Sequence, residues 1–187
     1  MNIQDFPVPG LKLLTLKSFP DDRGFFCERF KQSLFQEMKF PTAQPPQFVQ
    51  DNFSRSKAGV LRGLHYQWDR PQGKLVTCLA GRIFDVAVDL RTSSKTLGSV
   101  TTVELSGDRP QWFWIPAGFA HGFCVLGTQE ADIFYKCDNE YNGQGESGIR
   151  FDDPNLDIKW PTKNLVVSER DRKMPSFEDY KNLPRFT

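Results

Sequence analysis

The stretch KLVTCLAGRIFDVAVDL, which covers residues 74–90, gives the clearest indication of the fold. Two apolar runs, Lys74–Ala80 and Ile83–Leu90, are separated by a turn sequence that contains a glycine, and both are rich in residues that favour strands. The second run alternates in part, so Asp85 and Asp89 lie on one face of its pleat. The stretch therefore predicts two consecutive β-strands.

Similar short runs occur along the rest of the chain. Seventeen phenylalanines, thirteen prolines and fourteen glycines suit many short strands joined by tight turns. The further predicted strands are Leu11–Leu16, Gly24–Arg29, Phe48–Ser54, Ser99–Leu105, Gln111–Ile115, Gly122–Leu126 and Ala131–Cys137. Ser33–Met38 is predicted to be a helix, and Ser168–Lys173 could begin a second short one. The pattern predicts an all-β protein, an antiparallel β-sandwich or jelly roll with a few short helices, in a single domain over residues 1–187.

Composition excludes several classes of function. The net charge of +1 and the pI of about 7.6 argue against a nucleic-acid-binding protein that relies on a broad basic surface. The chain shows neither a secretory signal segment nor an apolar run of the roughly 20 residues that span a membrane, so we expect a soluble cytoplasmic protein. The cysteines form no CxxC pair and are expected to be buried free thiols. They are Cys27, Cys78, Cys124 and Cys137.

The chain has only two histidines, and both lie in glycine-flanked apolar segments. His65 lies within Gly59–Gln67, three residues after Arg62, and His121 lies within Ile115–Phe123. Histidine exchanges protons near neutral pH, so this placement favours a chemical role. No GxGxxG or GxxxxGK[ST] motif is present, so any bound nucleotide must be held by side chains.

These motifs resemble the family of dTDP-4-dehydrorhamnose 3,5-epimerases, which are small cupin-like jelly-roll enzymes acting on sugar nucleotides. The resemblance covers nearly the full length of the chain. It runs through residues 22–28, 50–54, 59–67, 72–76, 84–91, 115–123, 135–136, 146–154 and 168–171 in order and at matching spacing. It implies a homodimer in which strands of one subunit extend the sheet of the other, no metal, and no organic cofactor.

The reaction that the resemblance implies is proton removal beside a ketone. In dTDP-4-keto-6-deoxy-glucose the C3 and C5 hydrogens flank the C4 carbonyl, and returning a proton to the opposite face of the enolate inverts the carbon, giving dTDP-4-keto-L-rhamnose. By resemblance His65 is the base and Asp171 its orienting carboxylate. Lys74 stabilises charge on O4, and Tyr135 donates the proton on the opposite face.

The resemblance also implies a set of contacts to the sugar nucleotide. Arginines match phosphate oxygens well, and an aromatic ring can stack on the base. The implied contacts are Arg23, Glu28, Gln50, Asn52, Arg62, His121, Tyr141, Glu146 and Arg170. Three positions depart from the family pattern: Arg170 replaces a lysine, Glu140 replaces a tyrosine, and Gly143 replaces a proline. We expect Glu140 to add negative charge near the ligand and Gly143 to loosen its loop.

Several alternatives remain open from the sequence. Each histidine could be an ordinary structural histidine, Lys74 a surface lysine, and Tyr135 a strand aromatic at the rim. A related enzyme could invert C3 or C5 alone, or isomerise the ketone. A metal-dependent cupin is disfavoured because the two histidines are 56 positions apart and form no HxH pair. A non-catalytic sugar-binding module is disfavoured because the base, carboxylate, lysine and tyrosine are all present.

Overall fold

The computed structural model describes residues 1–37 and 45–187, with side chains of the first segment described as far as residue 35. Within these residues the chain forms fourteen strands, three short α-helices and one 3-10 turn. The strands are β1 (Asn2–Asp5), β2 (Lys12–Thr15), β3 (Phe19–Asp21), β4 (Gly24–Phe26), β5 (Gln50–Ser56), β6 (Val60–Gln67), β7 (Lys74–Ala80), β8 (Arg82–Asp89), β9 (Val100–Ser106), β10 (Gln111–Ile115), β11 (Phe119–Val125), β12 (Ala131–Cys137), β13 (Glu146–Gly148) and β14 (Val166–Val167). The helices are α1 (Gln32–Glu37), α2 (Glu169–Arg172) and α3 (Phe177–Asn182), and the 3-10 turn is Gly143–Gly145.

Two antiparallel sheets make up most of the described residues. The first has the strand order β1-β2-β10-β7-β12-β5, and the second has the order β13-β6-β11-β8-β9. Strand β14 adds a parallel pairing to β6, and β3 and β4 form a separate hairpin. The predicted antiparallel β-sandwich with few helices is confirmed.

The main apolar core lies between the two sheets. It is built from the side chains on the inner faces of β7, β8, β9, β10, β11 and β12, with Val76, Ile83, Phe113 and Ile133 among its fully buried members. Alternate residues of the same strands point outward, as the two-residue period of a strand requires. The outward side chains are covered by two further apolar clusters, one against α1 and one against α3 and the residues that follow it.

The structure corrects several predicted boundaries. Strand β6, which carries His65, was missing from the predicted strands because Gly63 and the polar side chains interrupt the β pattern. Gly24–Arg29 was too long, since only the first three residues pair in β4. Helix α1 ends at Glu37 in the described chain, and Met38 lies outside the described residues. Helix α2 is present where a short helix was considered.

Helix α3 was not predicted, although its start carries a recognisable signal. Ser176 caps the helix, and Asp179 bonds back to the Ser176 backbone N–H, forming a reciprocal capping box. The three-residue spacing of Ser176 and Asp179 could have indicated this start.

Two other expectations concern exposure. Three of the four cysteines are buried as predicted, but Cys27 is only half-buried, and all four thiols are free. Among the residues that the structure describes, no helix combines the length and the apolar character needed to cross a membrane.

Candidate active site

A cavity of about 560 Å³ lies between the two sheets and is lined by residues of both. Strands β7 and β12 of the first sheet place Lys74 and Tyr135 in its lining, and strands β6 and β11 of the second sheet place His65 and His121 there. The predicted residues that line this cavity are Arg62, His65, Lys74, His121, Tyr135, Arg170 and Asp171. All four predicted catalytic side chains therefore share one cavity.

His65 and Asp171 form a carboxylate–histidine pair whose histidine is partly exposed to the cavity. The His65 Nε2 atom lies 2.7 Å from Asp171 Oδ1, and the His65 side chain retains 25% exposure whereas that of Asp171 retains 5%. Burial alone would raise the pKa of Asp171, but the hydrogen bond and charge of His65, with further bonds from Gly63 and Ser168, hold it below its usual value. Asp171 therefore remains an anion that can orient and stabilise a protonated imidazole.

Asp171 reaches His65 because the chain before it is attached to the same strand. Val166 and Val167 of β14 run parallel to Val60 and Leu61 of β6. Ser168 then caps α2, its Oγ accepting the Asp171 backbone N–H at 3.1 Å. The strand pairing and the cap together fix where the carboxylate points.

Gly63 allows the close approach of backbone that this arrangement needs. Its N–H donates to Asp171 Oδ2 at 3.3 Å, and its φ of +126° lies in the region that favours glycine. A Cβ at this position would come within 2.5 Å of the Gly122 Cα atom on β11. The glycine beside His65 is thus required by packing between β6 and β11 as well as by backbone conformation.

His121 forms a second pair, with Asp85 of β8. Its Nε2 atom lies 2.9 and 3.0 Å from the two Asp85 oxygens, and the Asp85 side chain is fully buried. Burial raises the pKa of Asp85, although the charges of His121 and Lys74 oppose the shift. The second pair is therefore less exposed than the first, and burial favours the neutral form of its carboxyl group.

Lys74 and Tyr135 face the cavity from the first sheet in states suited to proton chemistry. Burial lowers the pKa of Lys74 against the opposing effects of Cys137, Glu146 and Asp85. Burial also raises the pKa of Tyr135 to about 12, so its phenol keeps its proton at neutral pH. A retained phenolic proton can be donated, and a fixed lysine ammonium stabilises a developing oxyanion better than bulk water does.

Polar side chains on β5 extend from the cavity toward the loop after β12. Gln50 accepts the backbone N–H of Tyr141 at 2.8 Å and donates to Asn52 at 3.0 Å. Asn52 in turn donates to the Cys137 sulfur at 3.5 Å. The predicted contacts Gln50, Asn52 and Tyr141 are thus joined in one hydrogen-bonded chain.

Glu146 joins two other predicted contacts. Its Oε2 atom accepts a hydrogen bond from the Tyr141 hydroxyl at 3.0 Å and another from Arg170 Nη2. Burial would raise the pKa of Glu146, but the bonds from Arg170 and Tyr141 hold it below its usual value. Glu146 is consequently ionised while Arg170, which lines the cavity, stays bound to it.

The loop that carries the family departures is anchored by several hydrogen bonds, and the looser loop expected from Gly143 stays a prediction. Asn142 caps the 3-10 turn, bonds to Asp69, and donates its backbone N–H to Gln67 Oε1 at 2.7 Å. The side chain of Gln67 also donates to the carbonyl of Glu140 at 3.1 Å. These bonds tie the loop to Gln67 at the end of β6 and to Asp69.

Arg23 and Glu28 are not brought to the cavity within this chain. Both side chains are exposed, and Arg23 pairs instead with Asp21 at 2.6 Å on the β3–β4 hairpin. The same hairpin exposes the aromatic side chains of Phe25 and Phe26, at 55% and 67%.

Sequence reasoning missed the partners that hold the predicted residues in place. Asp85 was noted only for the face of its strand, yet it is the partner of His121. Ser168 was noted only as a helix start, yet its cap sets the position of Asp171. In the part of the chain that the structure describes, no group of three His, Cys, Asp or Glu side chains is placed to hold a metal ion.

The β-sandwich and its cavity, with a histidine–carboxylate pair facing a tyrosine and a lysine, define the class of cupin-like enzymes that move protons in a sugar substrate. A family model described as dTDP-4-dehydrorhamnose 3,5-epimerase matches residues 5–179. The chain belongs to this family of isomerases, and the predicted family and enzyme class are confirmed.

Individual relatives agree with this assignment. The dTDP-4-dehydrorhamnose 3,5-epimerase of Shigella flexneri is 46% identical over 180 residues, which cover 96% of this chain and 97% of the relative. The crystal structure of dTDP-6-deoxy-D-glucose-3,5-epimerase from Legionella pneumophila, in complex with dTDP-4-keto-L-rhamnose, is 45% identical with a TM-score of 0.91 and covers 100% of this chain and 98% of its own. The 3'-monoepimerase ChmJ from Streptomyces bikiniensis, in complex with dTDP-quinovose, is 27% identical with a TM-score of 0.86 and covers 97% and 90%.

Proposed function

We propose that this protein inverts C3 and C5 of dTDP-4-keto-6-deoxy-glucose and releases dTDP-4-keto-L-rhamnose, without a metal or organic cofactor. One observation carries the proposal most strongly. The base candidate His65 and the acid candidate Tyr135 line the same cavity from different sheets. Inversion needs a base on one face of the sugar and an acid on the other, and two sheets that enclose a cavity supply two faces.

Each inversion proceeds in two proton transfers. His65 removes the proton from the carbon beside the ketone, and Asp171 stabilises the imidazolium that results. The electrons move into the carbonyl and form an enolate, whose negative O4 is stabilised by the charge of Lys74. Tyr135 then returns a proton to the opposite face of the carbon, and solvent restores the two side chains.

The nucleotide would lie toward the outer part of the cavity. Arg62 and Arg170 carry the charges that suit a diphosphate, and Tyr141 presents a ring that is 55% exposed and free to stack on the base. Gln50, Asn52, His121 and Glu146 are the further proposed contacts.

The test is incubation of the purified protein with dTDP-4-keto-6-deoxy-glucose in D₂O, with C3 and C5 followed by NMR. Deuterium and inversion at both carbons are the expected result. Exchange and inversion at a single carbon would instead assign a mono-epimerase, which is the second candidate because ChmJ shares the fold at 27% identity. No exchange at either carbon would overturn the proposal.

The donor role of Tyr135 has a separate test. Tyr135→Phe removes the phenolic proton but keeps the ring, so His65 still exchanges protons while inversion falls on the order of 10²-fold. The same NMR experiment gives both rates. Equal inversion by the variant and the wild type would assign the donor role to another group.

We also propose a cytoplasmic homodimer. Arg23 and Glu28 match family contacts to the substrate but lie on an exposed hairpin beside Phe25 and Phe26. An exposed aromatic patch is typical of an interface, and in a dimer the hairpin could bring these residues to the cavity of the second subunit. Sedimentation equilibrium tests the stoichiometry, and a monomer at micromolar concentration would contradict it.

A further inference from the structure

Arg170 forms an ion pair with Glu146 in the region where the diphosphate of the proposed substrate would bind. Its Nη2 atom bonds to Glu146 Oε2, and the Arg170 side chain is 55% exposed whereas that of Glu146 is 15% exposed. Arg170 lines the cavity and follows Glu169 in the first turn of α2, directly before Asp171. The guanidinium therefore lies at the boundary between solvent, the cavity and Glu146.

Glu146 is fixed more firmly than Arg170. It is the first residue of β13, which pairs with β6 so that Glu146 is opposite Gln67 and Gly148 is opposite His65. The Tyr141 hydroxyl also donates to the same Glu146 oxygen at 3.0 Å. A long, half-exposed arginine is thus tied to a short carboxylate on a paired strand, and the arginine is the partner that is free to move.

A diphosphate and Glu146 are alternative anions for one cation. We propose that Glu146 competes with the diphosphate of the substrate for Arg170, so that nucleotide binding exchanges an internal ion pair for an external one. The proposal rests on the proposed function, since it needs a diphosphate ligand at Arg170. Glu146 then lowers affinity for the nucleotide and, in return, keeps Arg170 and Tyr141 in a defined position in the empty enzyme.

The exchange also has an electrostatic consequence within the cavity. Glu146 lies near enough to His65, Lys74 and Tyr135 for its charge to act on all three. While Arg170 is bound to Glu146, much of that charge is neutralised. When the diphosphate binds Arg170 in place of Glu146, the negative charge of Glu146 acts on the reacting groups without being neutralised. Binding of the diphosphate is thereby coupled to the electrostatics around the sugar through one side chain.

The test is the affinity for dTDP, measured by calorimetry at fixed ionic strength. Glu146→Gln keeps the shape and the acceptor oxygen but removes the charge, and we expect dTDP to bind about fivefold more tightly, since a half-exposed ion pair is of modest strength. In a background of Arg170→Ala the same substitution is expected to change affinity by less than twofold. Glu104→Gln is the matched control, because Glu104 pairs with Arg82 and Arg109 on the exposed surface and its loss changes net charge equally.

The outcomes separate the two proposals. Unchanged or weaker dTDP binding by Glu146→Gln, with normal binding by the wild type, would overturn the competition alone, and weaker binding would make Glu146 a residue that positions Arg170. An equal gain from Glu104→Gln would trace the effect to net charge and also overturn it. No dTDP binding by any variant, the wild type included, would overturn the proposed function and this inference with it.

Discussion

Two histidines line the same cavity and each pairs with an aspartate, but the two pairs differ in exposure and in the pKa of the carboxylate. His65 with Asp171 is partly open, and its carboxylate has a lowered pKa because several donors support the anion. His121 with Asp85 is closed, and burial raises the pKa of its carboxylate. Contact between a histidine and an aspartate therefore does not by itself assign a catalytic role. The exposure of the pair and the hydrogen-bond donors around the carboxylate decide whether the pair can transfer protons.

Removing each histidine in turn is expected to give the largest difference in exchange rate between the two pairs. His65→Asn is expected to bind dTDP normally but to lose exchange and epimerisation by on the order of 10³-fold or more, because the base is gone. His121→Asn is the matched variant, and its exchange rate should fall far less. Deuterium incorporation at C3 and C5 measures both. Comparable losses in the two variants would mean that the two histidines act as equals.

The carboxylates give the next largest difference. Asp171→Asn keeps the shape of the side chain but removes the anion that supports the imidazolium, so kcat is expected to fall about 10²-fold. Asp85→Asn is expected to lower kcat by about tenfold or less, because its direct partner is His121 rather than the base and its charge acts on Lys74 without a hydrogen bond to it. Steady-state kinetics with both variants would decide, and a larger loss in Asp85→Asn would reverse the assignment of roles.

The opposite pKa shifts predict opposite effects of pH on stability. Asp171 has a lowered pKa, so its contribution is present above the unfolded-state value of about 3.8 and is lost as the pH falls through the folded-state value. Asp85 has a raised pKa, so its contribution to the free energy of unfolding is present below the unfolded-state pKa of about 3.8. That contribution is lost as the pH rises through the folded-state pKa.

Urea unfolding between pH 3 and pH 7 tests this prediction. Relative to the wild type, Asp171→Asn should become less stable as the pH rises, and Asp85→Asn should become more stable. Parallel curves for the two variants would show that the two carboxylates do not differ in the way described.

The smallest expected effect concerns the caps of the two C-terminal helices. Ser168→Ala and Ser176→Ala each remove a capping hydroxyl and should each cost about 1 kcal/mol of unfolding free energy. Only Ser168→Ala should also reduce kcat by a few-fold, because Ser168 holds the helix turn that carries Asp171. Equal activity in the two variants would show that the cap stabilises α2 without positioning the carboxylate.

The sequence was informative where a residue's role depends on its neighbours in the chain. The apolar, strand-favouring runs within residues 74–90 predicted β7 and most of β8, and the motif around His65 predicted a catalytic histidine that does line the cavity. It was uninformative where a role depends on distant contacts. The bond between His121 and Asp85 spans 36 positions, and nothing near either residue indicates the other.

The same limit applies to the loop that contains Gly143. A glycine in place of a proline favours a flexible loop when only local conformational freedom is considered. The structure anchors that loop through Asn142 to Gln67, 75 positions away, and through Asn142 to Asp69. Long-range hydrogen bonds of this kind oppose local flexibility and leave no local trace in the sequence.

The attachment of β14 to β6 makes catalytic activity a reporter of how one segment docks. His65 and Asp171 are 106 positions apart, and the pairing of Val166–Val167 with β6 leads the chain into the turn that carries Asp171. The sheets also pair residues far apart in the chain, such as Thr15 with Gln111, so both kinds of contact must close long loops. In a refolding experiment, the far-ultraviolet signal reports the sheets, whereas turnover also requires the docked segment, and any interval between the two recoveries measures that docking.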